Sequence, residues 1–131
     1  MLSARDIMTE NVVTISPQAS IQEAIETLLN QEFSGLPVAD KDGKLVGIVT
    51  EFALLGLVYD DRMRGDAVTK YMTTEVLTVD VNDPVSKVAD LCLVHRVRRV
   101  PVMDQGRLVG LIARRDVLRA LYEAKAPACM A

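Results

Sequence analysis

Two adjacent arginine pairs, Arg98-Arg99 and Arg114-Arg115, are the side chains of this sequence best suited to chemistry. A guanidinium presents a planar fork of donors that matches phosphate or carboxylate. The pairs belong to a biased region: residues 86–119 hold eight basic and three acidic side chains, whereas residues 1–60 hold three basic and nine acidic. An anionic ligand suits that late region, and so does the plainer reading of each pair as a solvated face. Asp116, beside Arg115, also has two readings, because an acid at a helix start is favoured by the helix dipole alone. His95 is the single histidine and has no Cys, His or carboxylate at catalytic or metal-ligand spacing, which suits a polar residue at a helix end. Cys92 and Cys129 have no metal-ligand spacing and make no disulfide framework. Cys92 sits in an apolar helical pattern and is expected to be a small core hydrophobe. The chain has no Ser-His-Asp or Cys-His spacing, no phosphate-binding loop, no Gly-x-Gly-x-x-Gly and no metal quartet. We therefore expect no catalytic residue, no metal, no required cofactor and no enzymatic activity.

Those residues must be held by a small scaffold. The chain has 131 residues, 50% apolar and 25% charged, the profile of one soluble globular unit or two small ones. A half of about 60 residues would be marginal alone, so any two halves should interlock. The formal net charge of −3 argues against capture of DNA or RNA by the whole molecule, leaving nucleic-acid binding through the late basic region as a minor alternative. No run of 18 apolar residues occurs, and Met1-Leu2-Ser3-Ala4-Arg5-Asp6 lacks the layout of a signal peptide. A cytoplasmic protein with no membrane partner is expected.

The strongest signal is an internal repeat. Sliding the chain by 64 residues places Met8-Thr9 on Met72-Thr73, Val12-Val13-Thr14-Ile15 on Val76-Leu77-Thr78-Val79, and Leu36-Pro37-Val38-Ala39-Asp40 on Val100-Pro101-Val102-Met103-Asp104. After a one-residue deletion, Gly43-Lys44-Leu45-Val46-Gly47-Ile48-Val49 falls on Gly106-Arg107-Leu108-Val109-Gly110-Leu111-Ile112. The chain is a tandem duplication, with repeats at 1–60 and 70–131 joined by a linker over 61–69.

Each repeat predicts the order β-α-β-β-α. Val12–Ile15 and Val76–Val79 read as short extended runs. Helices follow, opened by Ser20 with Glu23 in a capping box, and by Asp83 with Pro84 at the first helical position. Ile21, Ala24, Ile25, Leu28 and Leu29 correspond to Val85, Val88, Ala89, Cys92 and Leu93, an i, i+3, i+4, i+7, i+8 stripe expected to face a core. Hairpins of Leu36–Ala39 with Leu45–Val49, and of Val100–Met103 with Leu108–Ile112, lead to second helices near Glu51–Tyr59 and Arg114–Lys125.

With Asp6-Ile7-Met8-Thr9 and Lys70-Tyr71-Met72-Thr73 as openings, and Leu36-Pro37-Val38 and Gly47-Ile48-Val49-Thr50 as strand motifs, the sequence resembles tandem cystathionine-β-synthase-type (CBS) domains, the Bateman module. The resemblance implies an α+β fold of two pseudosymmetric repeats packed sheet to sheet, with no catalysis. It further implies a regulatory module that binds AMP, ADP, ATP or S-adenosylmethionine in clefts between the repeats and signals to a regulated protein. The family pattern after the third strand is Gly, two apolar residues, Thr or Ser, two variable residues and Asp. The Asp accepts the ribose hydroxyls and the hydroxyl side chain donates toward phosphate.

Neither repeat keeps that pattern whole. Gly47-Ile48-Val49-Thr50-Glu51-Phe52-Ala53 has the hydroxyl but Ala53 in place of Asp; Gly110-Leu111-Ile112-Ala113-Arg114-Arg115-Asp116 has the Asp but Ala113 in place of the hydroxyl. By resemblance, the favoured cleft joins Asp116, Ala113, Arg114, Arg115, Arg98 and Arg99 to Thr14, Ala19, Phe33 and Ser34. The weaker cleft uses Thr78, Val97, Thr50 and Gly35. Thr14 and Thr78 read equally well as ordinary strand residues, and Phe33 as core. Two degenerate clefts in a structural dimerisation module are the alternative. A homodimer is expected through Phe52, Leu54, Leu55, Val58, Val117, Leu118, Leu121 and Tyr122 on the second helices.

Overall fold

The structure, a computed structural model, describes residues 2–130, and their side chains through residue 124. Cys129 lies outside the described side chains. The elements in chain order are α1 Ala4–Ile7, α2 Ile21–Gln31, β1 Gly35–Ala39, β2 Leu45–Thr50, α3 Glu51–Leu55, β3 Val79–Asp80, α4 Val85–His95, β4 Arg99–Asp104, β5 Arg107–Ala113 and α5 Arg114–Met130. Single 3-10 turns at Asp61–Met63 and Val68–Lys70 occupy the junction.

The chain divides into two compact units, one of Val13–Val76 and one of Met1–Val12 with Leu77–Ala131. The units cut across the sequence repeats: the opening stretch of the chain joins the second repeat, and the stretch after residue 60 joins the first. In the Val13–Val76 unit, β1 and β2 form an antiparallel hairpin, and Ile15 makes a parallel bridge to Val38. In the other unit, β3 runs parallel to β4 and β4 antiparallel to β5. The extended run expected near Val12–Ile15 is therefore a one-residue bridge, whereas its counterpart is a short strand beginning at Val79.

Local sequence accounts for the elements. Ser20 caps α2 by accepting from Glu23 N at 3.1 Å. Pro84 caps α4 instead of opening its first turn, and Asp83 turns back to accept from Asp80 N at 2.8 Å. In α2, Ile21, Ala24 and Leu28 are buried; in α4, Val85, Val88 and Cys92 are. Leu29 is 72% and Leu93 78% exposed, contrary to the expected stripe. At the helical angular step, position i+8 lies about 110° from the centre of the i, i+3, i+7 face, so it turns outward. Two-residue geometry closes the β4–β5 hairpin, with Gln105 and Gly106 both at positive φ (52° and 82°) as a type I′ turn requires. The longer β1–β2 turn is held by the Asp40 carboxylate, which accepts from Asp42 N and Lys44 N, each at 2.9 Å.

Each unit is completed by the opening segment of the other repeat. Ala4 N donates to Asp83 O at 2.8 Å, Arg5 N to Val81 O at 3.0 Å, and Val85 N, an orphan donor at the start of α4, to Leu2 O at 3.1 Å. Thr9 then exchanges both backbone hydrogen bonds with Leu111, at 2.9 and 3.0 Å. In the Val13–Val76 unit the same roles fall to the junction: Ile21 N donates to Asp66 O at 2.8 Å, Val68 N to Ala19 O at 2.9 Å, and Thr73 pairs with Ile48 at 2.8 and 2.9 Å. The cores match. Ala4 is fully buried with Val79, Val88, Val100, Val102 and Ile112, and Val68 with Ile21, Leu36, Val38 and Val49. Leu54 and Val117, expected at a dimer face, are buried in these cores because each follows its helix start by one turn and points back onto the sheet.

Candidate functional site

β5 passes into α5 without a loop, so Ala113 closes the strand and stands at the cap position of the helix. Alanine offers no oxygen to the helix. Instead Asp116, in the first turn, accepts from Ala113 N through Oδ2 at 3.1 Å, the reciprocal half of a capping box. Its Oδ1 faces Arg119 Nη1 at 3.6 Å. Arg114 N donates to Arg98 O at 2.8 Å, and Arg99 pairs with Ala113 across the ladder. Backbone geometry thus brings Arg98, Arg99, Ala113, Arg114, Arg115 and Asp116 to one end of the β4–β5 hairpin. Arg98, Arg114 and Arg115 are exposed, while Arg99 and Asp116 are half-buried.

The Val13–Val76 unit repeats this junction with different side chains. Thr50 caps α3, its Oγ1 accepting from Ala53 N at 3.2 Å. Glu51 N donates to Ser34 O at 2.9 Å, and Gly35 pairs with Thr50. The Thr/Ser-x-x-Asp pattern is also a capping box, and this chain has divided it: one junction keeps the hydroxyl, the other the acid. The positions of Arg98, Arg99, Arg114 and Arg115 are held here by Ser34, Gly35, Glu51 and Phe52, so the positive charge belongs to one junction only.

The other expected residues are placed as follows. Ser34, Gly35 and Thr50 lie together at the β1–β2 junction. Phe33 is half-buried against the core of its unit. Thr14 is exposed and precedes the Ile15 bridge; Ala19 is buried in the core, with its carbonyl bonded to Val68 N. In the other unit, Thr78 is half-buried before β3, and Val97 packs against the core. His95 ends α4 and is exposed. Arg119 was not singled out from the sequence, although its i,i+3 spacing from Asp116 was the available signal.

Burial pushes the Cys92 thiol upward, against a smaller opposing pull from Arg114, so Cys92 stays a protonated core side chain. Among the described residues no group of three or more His, Cys, Asp or Glu could hold a metal ion, and no helix is long and apolar enough to cross a membrane.

Comparison with known proteins agrees with this architecture. The CBS domain family model matches twice, at residues 4–60 and 68–123. The uncharacterized protein MJ1225 of Methanocaldococcus jannaschii is 32% identical over 117 residues, 89% of this chain and 42% of that protein. The chain spans less than half the length of the first curated relatives it matches. Among solved structures, CBSX2 of Arabidopsis thaliana, crystallised in complex with AMP, is 32% identical with a TM-score of 0.86, covering 95% of this chain and 99% of that one. The CBS domain pair of protein MJ0100, in complex with 5-methylthioadenosine and S-adenosyl-L-methionine, is 28% identical with a TM-score of 0.81, covering 95% of this chain and 99% of that one. With both repeats matched along nearly their whole lengths, the chain belongs to the CBS domain family as a tandem pair.

Proposed function

We propose that this CBS pair is a non-catalytic regulatory module that binds an adenosine-containing nucleotide and transmits its binding to a partner protein. The observation that carries the reading is the β5–α5 junction, where a half-buried carboxylate, fixed through Ala113 N, lies at the end of the hairpin whose backbone also brings up Arg98, Arg99, Arg114 and Arg115. The carboxylate supplies acceptors for ribose hydroxyls, and the guanidinium groups supply bidentate donors for phosphate in place of the missing Ala113 hydroxyl. The complexes of CBSX2 with AMP and of MJ0100 with two adenosine derivatives support the ligand class. The junction at Thr50, with Ala53 for Asp and Gly35 for Arg99, binds more weakly.

Calorimetry with AMP, ADP, ATP and S-adenosylmethionine tests the proposal: at least one should give saturable heat, and none at millimolar concentration would overturn it. Asp116→Ala should then weaken binding about tenfold or more, equivalent to about 1.4 kcal/mol. A second reading, a structural module without ligand, is favoured by the capping bonds of Thr50 and Asp116, which explain both residues without a nucleotide. It predicts the same melting temperature with and without nucleotides. In either case we propose a homodimer through the exposed Phe52, Leu55, Val58, Leu118, Leu121 and Tyr122, Phe52 being 86% and Tyr122 72% exposed.

A further inference from the structure

We infer that Arg119 competes with the ligand for Asp116 and so sets the affinity of the β5–α5 junction for the ribose of a nucleoside, an inference that rests on the nucleotide-binding reading above. Asp116 has its two oxygens in different employment. Oδ2 accepts from Ala113 N at 3.1 Å, the backward half of a capping box, which fixes the carboxylate in place. Oδ1 lies 3.6 Å from Arg119 Nη1. A ribose diol presents two donors, and a carboxylate has about four lone-pair sites. One hydroxyl can share Oδ2 with the Ala113 amide. The other falls to Oδ1, where the Arg119 guanidinium, at ion-pair distance, crowds one of the two lone-pair approaches and draws on the charge of the same oxygen.

Arg119 is built to yield that place: its side chain is 60% exposed and that of Asp116 27%, so the guanidinium can swing into water while the carboxylate stays fixed by its cap bond. The two residues also occur together. Their counterparts in the first repeat are Ala53 and Gly56, so the junction without the acid lacks the arginine too. An exposed pair of this kind is worth about two- to fivefold in an equilibrium, which makes Arg119 a moderator of affinity that cannot block the site outright.

The test uses adenosine, whose lack of phosphate separates ribose recognition from the general attraction of arginine for anions. NMR titrations of adenosine and AMP into the full chain, Arg119→Met and Asp116→Ala would be run at low salt and at about 0.5 M salt, where exposed ion pairs are screened. Arg119→Met should bind adenosine about two- to fivefold more tightly than the parent at low salt, and the two should converge at high salt. A merely structural role for Arg119 would not produce that convergence. Equal adenosine affinities at low salt, or weaker binding by Arg119→Met, would overturn the competition while leaving the site in place, provided Asp116→Ala still loses AMP. AMP binding by Asp116→Ala at parental affinity would overturn the site and the competition together. AMP binding without any adenosine binding in the millimolar range would overturn the competition, since the ribose hydroxyls are what Arg119 is held to oppose.

Discussion

Gly47 and Gly110 show how a single missing side chain positions a whole segment. A Cβ built on Gly47 would lie 2.7 Å from Met72 Sδ and 2.8 Å from Thr73 O; one built on Gly110 would collide with Met8 Sδ and lie 2.8 Å from Met8 Cγ. Each methionine lies over bare strand backbone, and the following threonine then pairs with the strand. Met8 can turn aside, but Thr73 O is backbone bound into the Ile48 bridge. Gly47→Ala should therefore cost about 1–3 kcal/mol and Gly110→Ala less, as read from denaturant midpoints. Titration adds a second prediction at this scale. Accepting from Asp80 N, with Lys87 adding attraction, holds the Asp83 carboxyl below the ordinary carboxylate range, and accepting from Ser3 N does the same for Asp6. A folded-state value below the unfolded one contributes stability above the unfolded pKa and loses it as pH falls through the folded value. Melting temperature should thus fall below about pH 4, and Asp83→Asn should lower it at neutral pH while flattening the acid decline.

For the elements, the instructive contrast is between the two second helices. α3 is capped by a hydroxyl and α5 by an acid reaching backward, so the same pattern of sequence is satisfied by opposite halves. Thr50→Ala should destabilise by about 1 kcal/mol, the usual loss for an N-cap. Ala113→Thr should stabilise by a similar amount, about 1 kcal/mol, by adding the missing oxygen where Asp116 already completes the box. Thermal unfolding would check both, and a fall in stability for Ala113→Thr would contradict this account of the junction. The first helices offer a matching economy: both α2 and α4 end on a non-glycine residue in the left-handed region, Glu32 at φ 58° and Arg96 at φ 54°. Glycine at Glu32 should be neutral or stabilising, by up to about 1 kcal/mol, because it adopts that conformation without the Cβ clash.

For the whole molecule, the chain exchanges its opening segments between repeats, so residues far apart in sequence stand or fall together. Ala4 has no exposed surface and sits in the core of Val79, Val88, Val100 and Ile112. Ala4→Glu would bury an unpaired carboxylate there and should cost about 3 kcal/mol or more. Hydrogen exchange should show the loss first in β4 and β5, with β1 and β2 affected less. Loss confined to residues near the mutation would refute the exchange. Sedimentation at micromolar concentration checks the homodimer, and a monomer there would dismiss it.

The duplication, the helices α2 and α4 and both hairpins were legible in the sequence, because period, turn residues and caps are local properties of the chain; the divided Thr/Ser-x-x-Asp pattern was legible only through the family resemblance. Asp116 and its neighbouring arginines were legible as a group through the same resemblance, and the pairing of β4 with β5, which runs straight into α5, is what brings them to one end of the hairpin. Two things were decided only by tertiary structure. The opening segments 1–12 and 61–76 attach to the repeat that the chain order does not suggest, a choice made by orphan helix donors and bare glycines that lie about 25 to 100 residues away along the chain. Leu29, Leu93, Leu54 and Val117 changed face for a related reason: periodicity states which positions share a side of a helix, but only the sheet against which it packs says where that side ends.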